Sequence, residues 1–270
     1  VSYSKRCIKN NMLFVNTRPQ DRAAALTAAL SNQQITVFEL PLLELQALKL
    51  SPELYELYRQ LPSAQVIVVV SPTAVEVGMQ YLQQSGLHLS QVAHIQWIAV
   101  GIKTAQVLEK YGIQALIPEV ETSEGMLQLP CLQKLPQGSR IAFWRGEGGR
   151  QFMMQQLQAQ GMHILNFVLY QRQCPPMCQT LMPLLAKKIQ KNLAYTVLIS
   201  SEASWLNWQA LWQNQPEIIT KAHYMVLGTR VAQVLQQARQ QQQADFEITC
   251  LDTLHPTTIL AHLKLEKGKA

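Results

Sequence analysis

Hydrophobic positions along the chain gather into short aliphatic runs. Each run is followed by small polar residues and then by apolar spacing of helical period. Six such units are clear. Leu13-Phe14-Val15 leads into Asn16-Thr17-Arg18-Pro19 and a predicted helix over 21–30. Residues 66–70 lead into Ser71-Pro72-Thr73 and a helix to about 84. Ile98-Ala99-Val100 leads into Gly101-Ile102-Lys103-Thr104 and a helix to 111. Residues 141–144 lead into Arg145-Gly146-Glu147-Gly148-Gly149 and a helix to 160. Val197-Leu198-Ile199 leads into Ser200-Ser201-Glu202 and a helix to about 212. Met225-Val226-Leu227 leads into Gly228-Thr229-Arg230 and a helix to about 240. Strands alternating with helices of this length predict parallel sheets with helices on both faces. Unbroken aliphatic strands predict the same, because a parallel sheet is buried on both sides.

The units also repeat. Gly101-Ile-Lys-Thr-Ala-Gln-Val-Leu108 and Gly228-Thr-Arg-Val-Ala-Gln-Val-Leu235 agree at five of eight positions, 127 residues apart. The Arg18 and Arg145 loops are also 127 apart, and the Ser71 and Ser200 loops 129. Three correspondences at nearly one offset point to an internal duplication. The middle of the chain runs Ser-loop, Gly-loop, Arg-loop, whereas the remainder begins with its Arg-loop. The expected fold is therefore α/β, with two similar doubly wound parallel-sheet domains joined by a two-stranded hinge. One domain, residues 43–167, is inserted into the other, residues 12–38 plus 173–265. The crossings are expected near 38–45 and 167–172. Residues 1–11 are polar and patternless and are expected to be a disordered extension ahead of a start at Met12.

Composition narrows the function classes. The chain has 270 residues, 48% hydrophobic and 15% charged, with a net charge of +6. No apolar run approaches the ~20 residues of a membrane span, and no secretory leader pattern is present, so a cytoplasmic protein without a membrane partner is expected. Five scattered cysteines (Cys7, Cys131, Cys174, Cys178, Cys250) suit a reducing compartment better than a disulfide framework. The basic residues form no dense stripe with interleaved aromatics, which argues against nucleic acid. Mild basicity suits an acidic small molecule.

All six polar loops follow strands and open helices. Ligands of open α/β sheets bind at such ends, and helix N-termini suit carboxylate or phosphate. Two domains joined by a double crossing could face these loops across one cleft, so an anionic ligand large enough to touch both is expected. Simpler roles exist for the same residues: Ser71, Ser200 and Ser201 suit helix capping, and the glycines suit tight turns. Cys174 and Cys178 have no second pair at zinc spacing. The loop after Arg145 fits no nucleotide fingerprint. Trp205, Trp208 and Trp212 are spaced as a helix core face. No strong nucleophile stands out. A non-catalytic two-lobed binding protein for an acidic metabolite stays open at this point, as does a flavin or dinucleotide module.

The ordered motifs Val15-Asn-Thr-Arg-Pro19, Val70-Ser-Pro-Thr-Ala-Val75, Ala99-Val-Gly-Ile-Lys-Thr-Ala105, the stretch 118–125, Arg145-Gly-Glu-Gly-Gly-Arg150, Tyr170-Gln-Arg172 and Ile199-Ser-Ser-Glu202 resemble the uroporphyrinogen-III synthase family. Each is short; the order and spacing carry the resemblance across nearly all of 12–263. It implies two α/β domains joined by a two-stranded ladder. It also implies cyclisation of hydroxymethylbilane, a linear tetrapyrrole with eight carboxylates, with inversion of ring D and loss of water. Neither cofactor nor metal is implied. The chain would act as a monomer, in passing contact with the preceding pathway enzyme.

By the same resemblance, Tyr170 matches the tyrosine proposed to assist departure of the hydroxyl. A reference pKa of ~10 favours hydrogen-bond assistance over full proton transfer. Thr104 matches the cleft threonine, for which the duplicate has Val231. Ser71 stands where the family often has Thr-Ser, and Pro72 departs from that pattern. The residues expected at substrate are Thr17, Arg18, Ser71, Gly101, Ser123, Arg145, Gly146, Ser200, Ser201, Gly228 and Thr229.

Overall fold

A computed structural model describes residues 12–149, 151–191 and 194–267. The expectation for residues 1–11 lies outside these, as does Arg150 of the Arg-loop. Ten strands occur among them: β1 (Leu13–Asn16), β2 (Thr36–Glu39), β3 (Glu44–Ala47), β4 (Val66–Val69), β5 (Gln96–Ala99), β6 (Arg140–Gly146), β7 (His163–Gln173), β8 (Tyr195–Ile199), β9 (His223–Leu227) and β10 (Ile248–Leu251). The chain divides into two compact units, with boundaries at Glu44/Leu45 and Arg172/Gln173. Leu45–Arg172 forms one unit, and the segments before and after it together form the other.

The first sheet has the order β10-β9-β8-β1-β2, with every neighbour parallel. Counted along its own strands this is 2-1-3-4-5, a doubly wound order. The second sheet has the order β3-β7-β6-β4-β5. The loop correspondences carry over into space. Each Arg-loop strand (β1, β6) lies between the strand that follows it (β2, β7) and the Ser-loop strand (β8, β4). The Gly-loop strand (β9, β5) lies beyond. The expected α/β class with parallel sheets is found in both units.

One strand departs from it. Leu48 N–H donates to the Leu169 carbonyl, Gln171 bonds Gln46, and Gln173 bonds Glu44. These partners count in opposite directions, so β3 runs antiparallel to β7 at the sheet edge.

The aliphatic runs are buried on two faces, as parallel strands require. In β4, Val66 and Val68 join one core cluster, and Ile67 and Val69 the other. In the first unit, Leu13 and Val15 face a cluster containing Trp205, Trp208 and Trp212, while Phe14 faces the opposite one. The three tryptophans are thus core, on the helix Glu202–Leu211 and its C-cap.

Candidate active site

Strand β6 delivers Arg145 and Gly146 to the carboxyl edge of the second sheet. Its register with β7 slips there: Arg145 faces Val168, but Gly146 faces Tyr170. Leu169 is left over, and Leu169 and Tyr170 are consecutive buried residues in a strand that otherwise alternates. A bulge of this kind re-aims a side chain; here it places Tyr170 beside the Arg-loop. Glu147 N–H donates to the Tyr170 carbonyl at 2.7 Å, tying loop and strand together.

Arg145 is only 5% exposed. Its Nε donates to the Gly146 carbonyl at 3.2 Å, its Nη2 to the Gly149 carbonyl at 2.6 Å, and its Nη1 lies 3.8 Å from the Met154 sulfur. No carboxylate pairs with it among the described residues. Burial pulls its pKa down from the usual guanidinium value, and the neighbouring Tyr170 phenol offsets part of that. A guanidinium nevertheless stays protonated in proteins. The site therefore holds a buried positive charge whose donors meet, among the described residues, two carbonyls and a thioether.

Tyr170 is 4% exposed, and its hydroxyl lies 2.9 Å from Ser71 Oγ. Ser71 is the N-cap of the helix Pro72–Gln84, its Oγ accepting from Ala74 N–H at 3.1 Å. The capping expected from the sequence is thus real, and the same hydroxyl also reaches the phenol. Helix N-termini carry a partial positive charge, so the phenolic oxygen meets a positive helix end through Ser71.

Ser71, Ser123, Arg145, Gly146, Tyr170 and Arg172 line one cavity of about 190 Å³, with Phe143, Met126, Met153 and Met154 as apolar wall. Whole drug-sized ligands need roughly 300–1,000 Å³, so this cavity accepts one substituent of a large ligand.

Thr104 is buried in the first turn of the helix Ile102–Glu109 and does not line the cavity. At Gly101 the anion position is already occupied by the protein's own carboxylate. Glu121 Oε1 accepts from Ile102 N–H at 2.8 Å, and a Cβ on Gly101 would meet Glu121 Oε2 at 2.3 Å. Glu121 belongs to the 118–125 stretch, but its pairing across 19 residues left no signal in the sequence.

In the first unit, Thr17 is fully buried and donates to the Leu198 carbonyl, which engages its hydroxyl in joining β1 to β8. Arg18 is half-buried, its N–H donating to Asn16 Oδ1 at 3.3 Å. Ser200 is half-buried, and Ser201 caps the following helix through Ser204 N–H at 3.1 Å. Gly228 has φ of +75°, a left-handed turn that favours glycine; Thr229 is exposed. These residues follow β1, β8 and β9. Among the described residues no group of three or more His, Cys, Asp or Glu could hold a metal ion.

Known proteins resemble this chain in sequence and in fold. The profile of the family described as Uroporphyrinogen-III synthase HemD matches residues 24–245. The chain is 30% identical over 163 residues to the uroporphyrinogen-III synthase of Salmonella typhimurium and 28% identical over 163 to that of Escherichia coli. Each match covers 60% of this chain and 65% of the relative, so the chain spans just under two thirds of the length of these curated relatives. Among solved structures, a mutant uroporphyrinogen III synthase from Thermus thermophilus matches with a TM-score of 0.56 at 17% identity, covering 96% of this chain and 100% of that one. The uroporphyrinogen-III synthetase of Helicobacter pylori matches with 0.53 at 13%, covering 94% and 99%. At such identities the structures speak for the fold. The profile match extends over most of the chain, and with the ordered loops it places this protein in the uroporphyrinogen-III synthase HemD family.

Proposed function

We propose that the chain is a cyclising lyase that converts hydroxymethylbilane to uroporphyrinogen III, inverting ring D and releasing water. The observation that carries this reading is the meeting of Tyr170, Ser71 and the buried Arg145 in one cavity. The substrate brings its own leaving hydroxyl and its own carbon nucleophile, so the protein has to fold it, assist departure and stabilise charge.

In this reading, Tyr170 hydrogen-bonds the departing hydroxyl and gives it the proton with which it leaves as water. The C–O bond breaks, the pyrrole nitrogen lone pair fills the vacancy, and a cationic, N-protonated azafulvene results. The substituted carbon of ring D attacks it to give a spiro intermediate, which fragments and recloses the other way round. Ser71, Ser123, Arg145 and Gly146 receive an acidic side arm of the substrate. Thr104 supports the Gly101 loop from behind, and Gly101 takes a carboxylate once Glu121 has left. Arg18, Ser200, Ser201, Gly228 and Thr229 are the corresponding contact set in the first unit, with Thr17 holding that loop in place.

No described helix is long and apolar enough to cross a membrane, and the four described cysteines are free thiols, which supports a reducing, cytoplasmic setting. The proposed protein works as a monomer and takes its one substrate from the enzyme that makes it.

The test is to supply freshly prepared hydroxymethylbilane and resolve the porphyrin isomers after oxidation. The inverted isomer should dominate and appear faster than in the protein-free control. Only the uninverted isomer, formed at the control rate, would overturn the proposal.

A further inference from the structure

We infer that Arg145 is a positioning residue for Tyr170: its buried guanidinium folds the 145–149 loop against the phenol and biases the hydroxyl toward giving its proton to the leaving group. This inference rests on the function proposed above and adds a role beyond contact with a substrate carboxylate.

Three observations carry it. First, the guanidinium is buried without a counter-carboxylate among the described residues, so nearby negative charge is what its surroundings lack. Burying such a charge unpaired is costly, and a site keeps it where charge develops during reaction. Second, Gly146 joins the two side chains. Its carbonyl accepts from Arg145 Nε, and a Cβ built on it would lie 2.5 Å from the Tyr170 ring. The Gly149 carbonyl on Nη2 and the Glu147 N–H on the Tyr170 carbonyl close the loop around the same point. Third, Ser71 and its helix N-terminus approach the phenolic oxygen independently. The other charged residues lining the cavity, Glu147 and Arg172, are exposed and therefore screened by solvent. Arg145 is the buried one.

The step balances as follows. Tyr170 gives its proton to the hydroxymethyl oxygen, the C–O bond breaks, and water leaves. The resulting tyrosinate faces the Arg145 charge. Its proton returns when the ring-D carbon that finally closes the macrocycle loses its hydrogen.

The experiment compares wild type, Arg145→Gln, Arg145→Lys, Tyr170→Phe and the double variant Arg145→Gln/Tyr170→Phe. It measures kcat and KM against pH with hydroxymethylbilane, with circular dichroism melts as the folding control. Arg145→Gln should lower kcat about tenfold or more, in addition to any rise in KM from the lost carboxylate contact. Arg145→Lys should recover most of kcat, and the double variant should be no slower than Tyr170→Phe. A raised KM with intact kcat, or losses that add in the double variant, would overturn the inference and leave Arg145 a carboxylate ligand. Should Arg145→Gln not fold, Arg145→Lys decides, since it must keep most of the wild-type kcat; a loss of tenfold or more in a folded Arg145→Lys overturns the inference. Wild type that fails to make the inverted isomer overturns the functional proposal itself, and this inference with it.

Discussion

The ring of Tyr170 lies directly against the Cα of Gly146. A methyl group there would fall 2.5 Å from Cε2 and Cζ of the ring and 2.9 Å from its hydroxyl oxygen. The contact exists because the β6–β7 register slips at this point and sets the two residues opposite one another. The glycine in the Arg-loop is thus required by the tyrosine, 24 residues later, rather than by its own backbone angles.

Gly146→Ala should therefore push Tyr170 out of place. Overpacking of this kind costs about 1–3 kcal/mol, readable as a lower denaturation midpoint of the Leu45–Arg172 unit. Turnover should fall with it, because Ser71 Oγ loses its 2.9 Å partner. A stable variant with wild-type kcat would mean that the ring position is irrelevant to reaction.

Glu121→Ala frees the Ile102 N–H for an incoming carboxylate. Losing a carboxylate at a helix N-terminus costs about 0.3–1 kcal/mol of stability, so a slightly lower melting temperature is expected. If the Gly101 loop takes a substrate carboxylate, KM should fall as the competing group disappears. A KM equal to or above that of wild type would remove Gly101 from the substrate contacts.

Stability should depend on pH through His223. Its ring nitrogens lie 3.4 Å from Thr196 Oγ1 on β8 and 2.9 Å from Thr249 Oγ1 on β10. Burial lowers its pKa from 6.5, opposed in part by Glu247. Below about pH 6.5 the unfolded chain binds this proton and the folded one resists it, so unfolding free energy drops as pH falls. The contribution is complete above that pH. Urea melts between about pH 7.5 and 5 should show this slope, and His223→Gln should flatten it. An identical slope in the variant would place the acid sensitivity elsewhere.

The edge strands β2 and β10 had no clear signature, and the physical reason is exposure. Thr36–Glu39 and Ile248–Leu251 each bury one residue of four, so neither shows an aliphatic run. Central strands such as β4 and β8 are buried at every position and announce themselves.

The sequence by itself determined what depends on local periodicity and on near neighbours. The parallel α/β class follows from Val66–Val69 and Tyr195–Ile199, the Ser71 and Ser201 caps from their place before each helix, and the tryptophan face from spacings of three and four. The nearly constant offset between matching loops also pointed to a duplication. Tertiary structure alone decided the pairings that span the chain: Ser71 with Tyr170 across 99 residues, Glu121 with Ile102, and Thr17 with Leu198 across 181. It also decided that Arg145 is buried without an acid partner among the described residues. Such contacts depend on strand register and on one bulge, and a one-residue slip changes which side chain faces the site, which no window of neighbouring residues encodes.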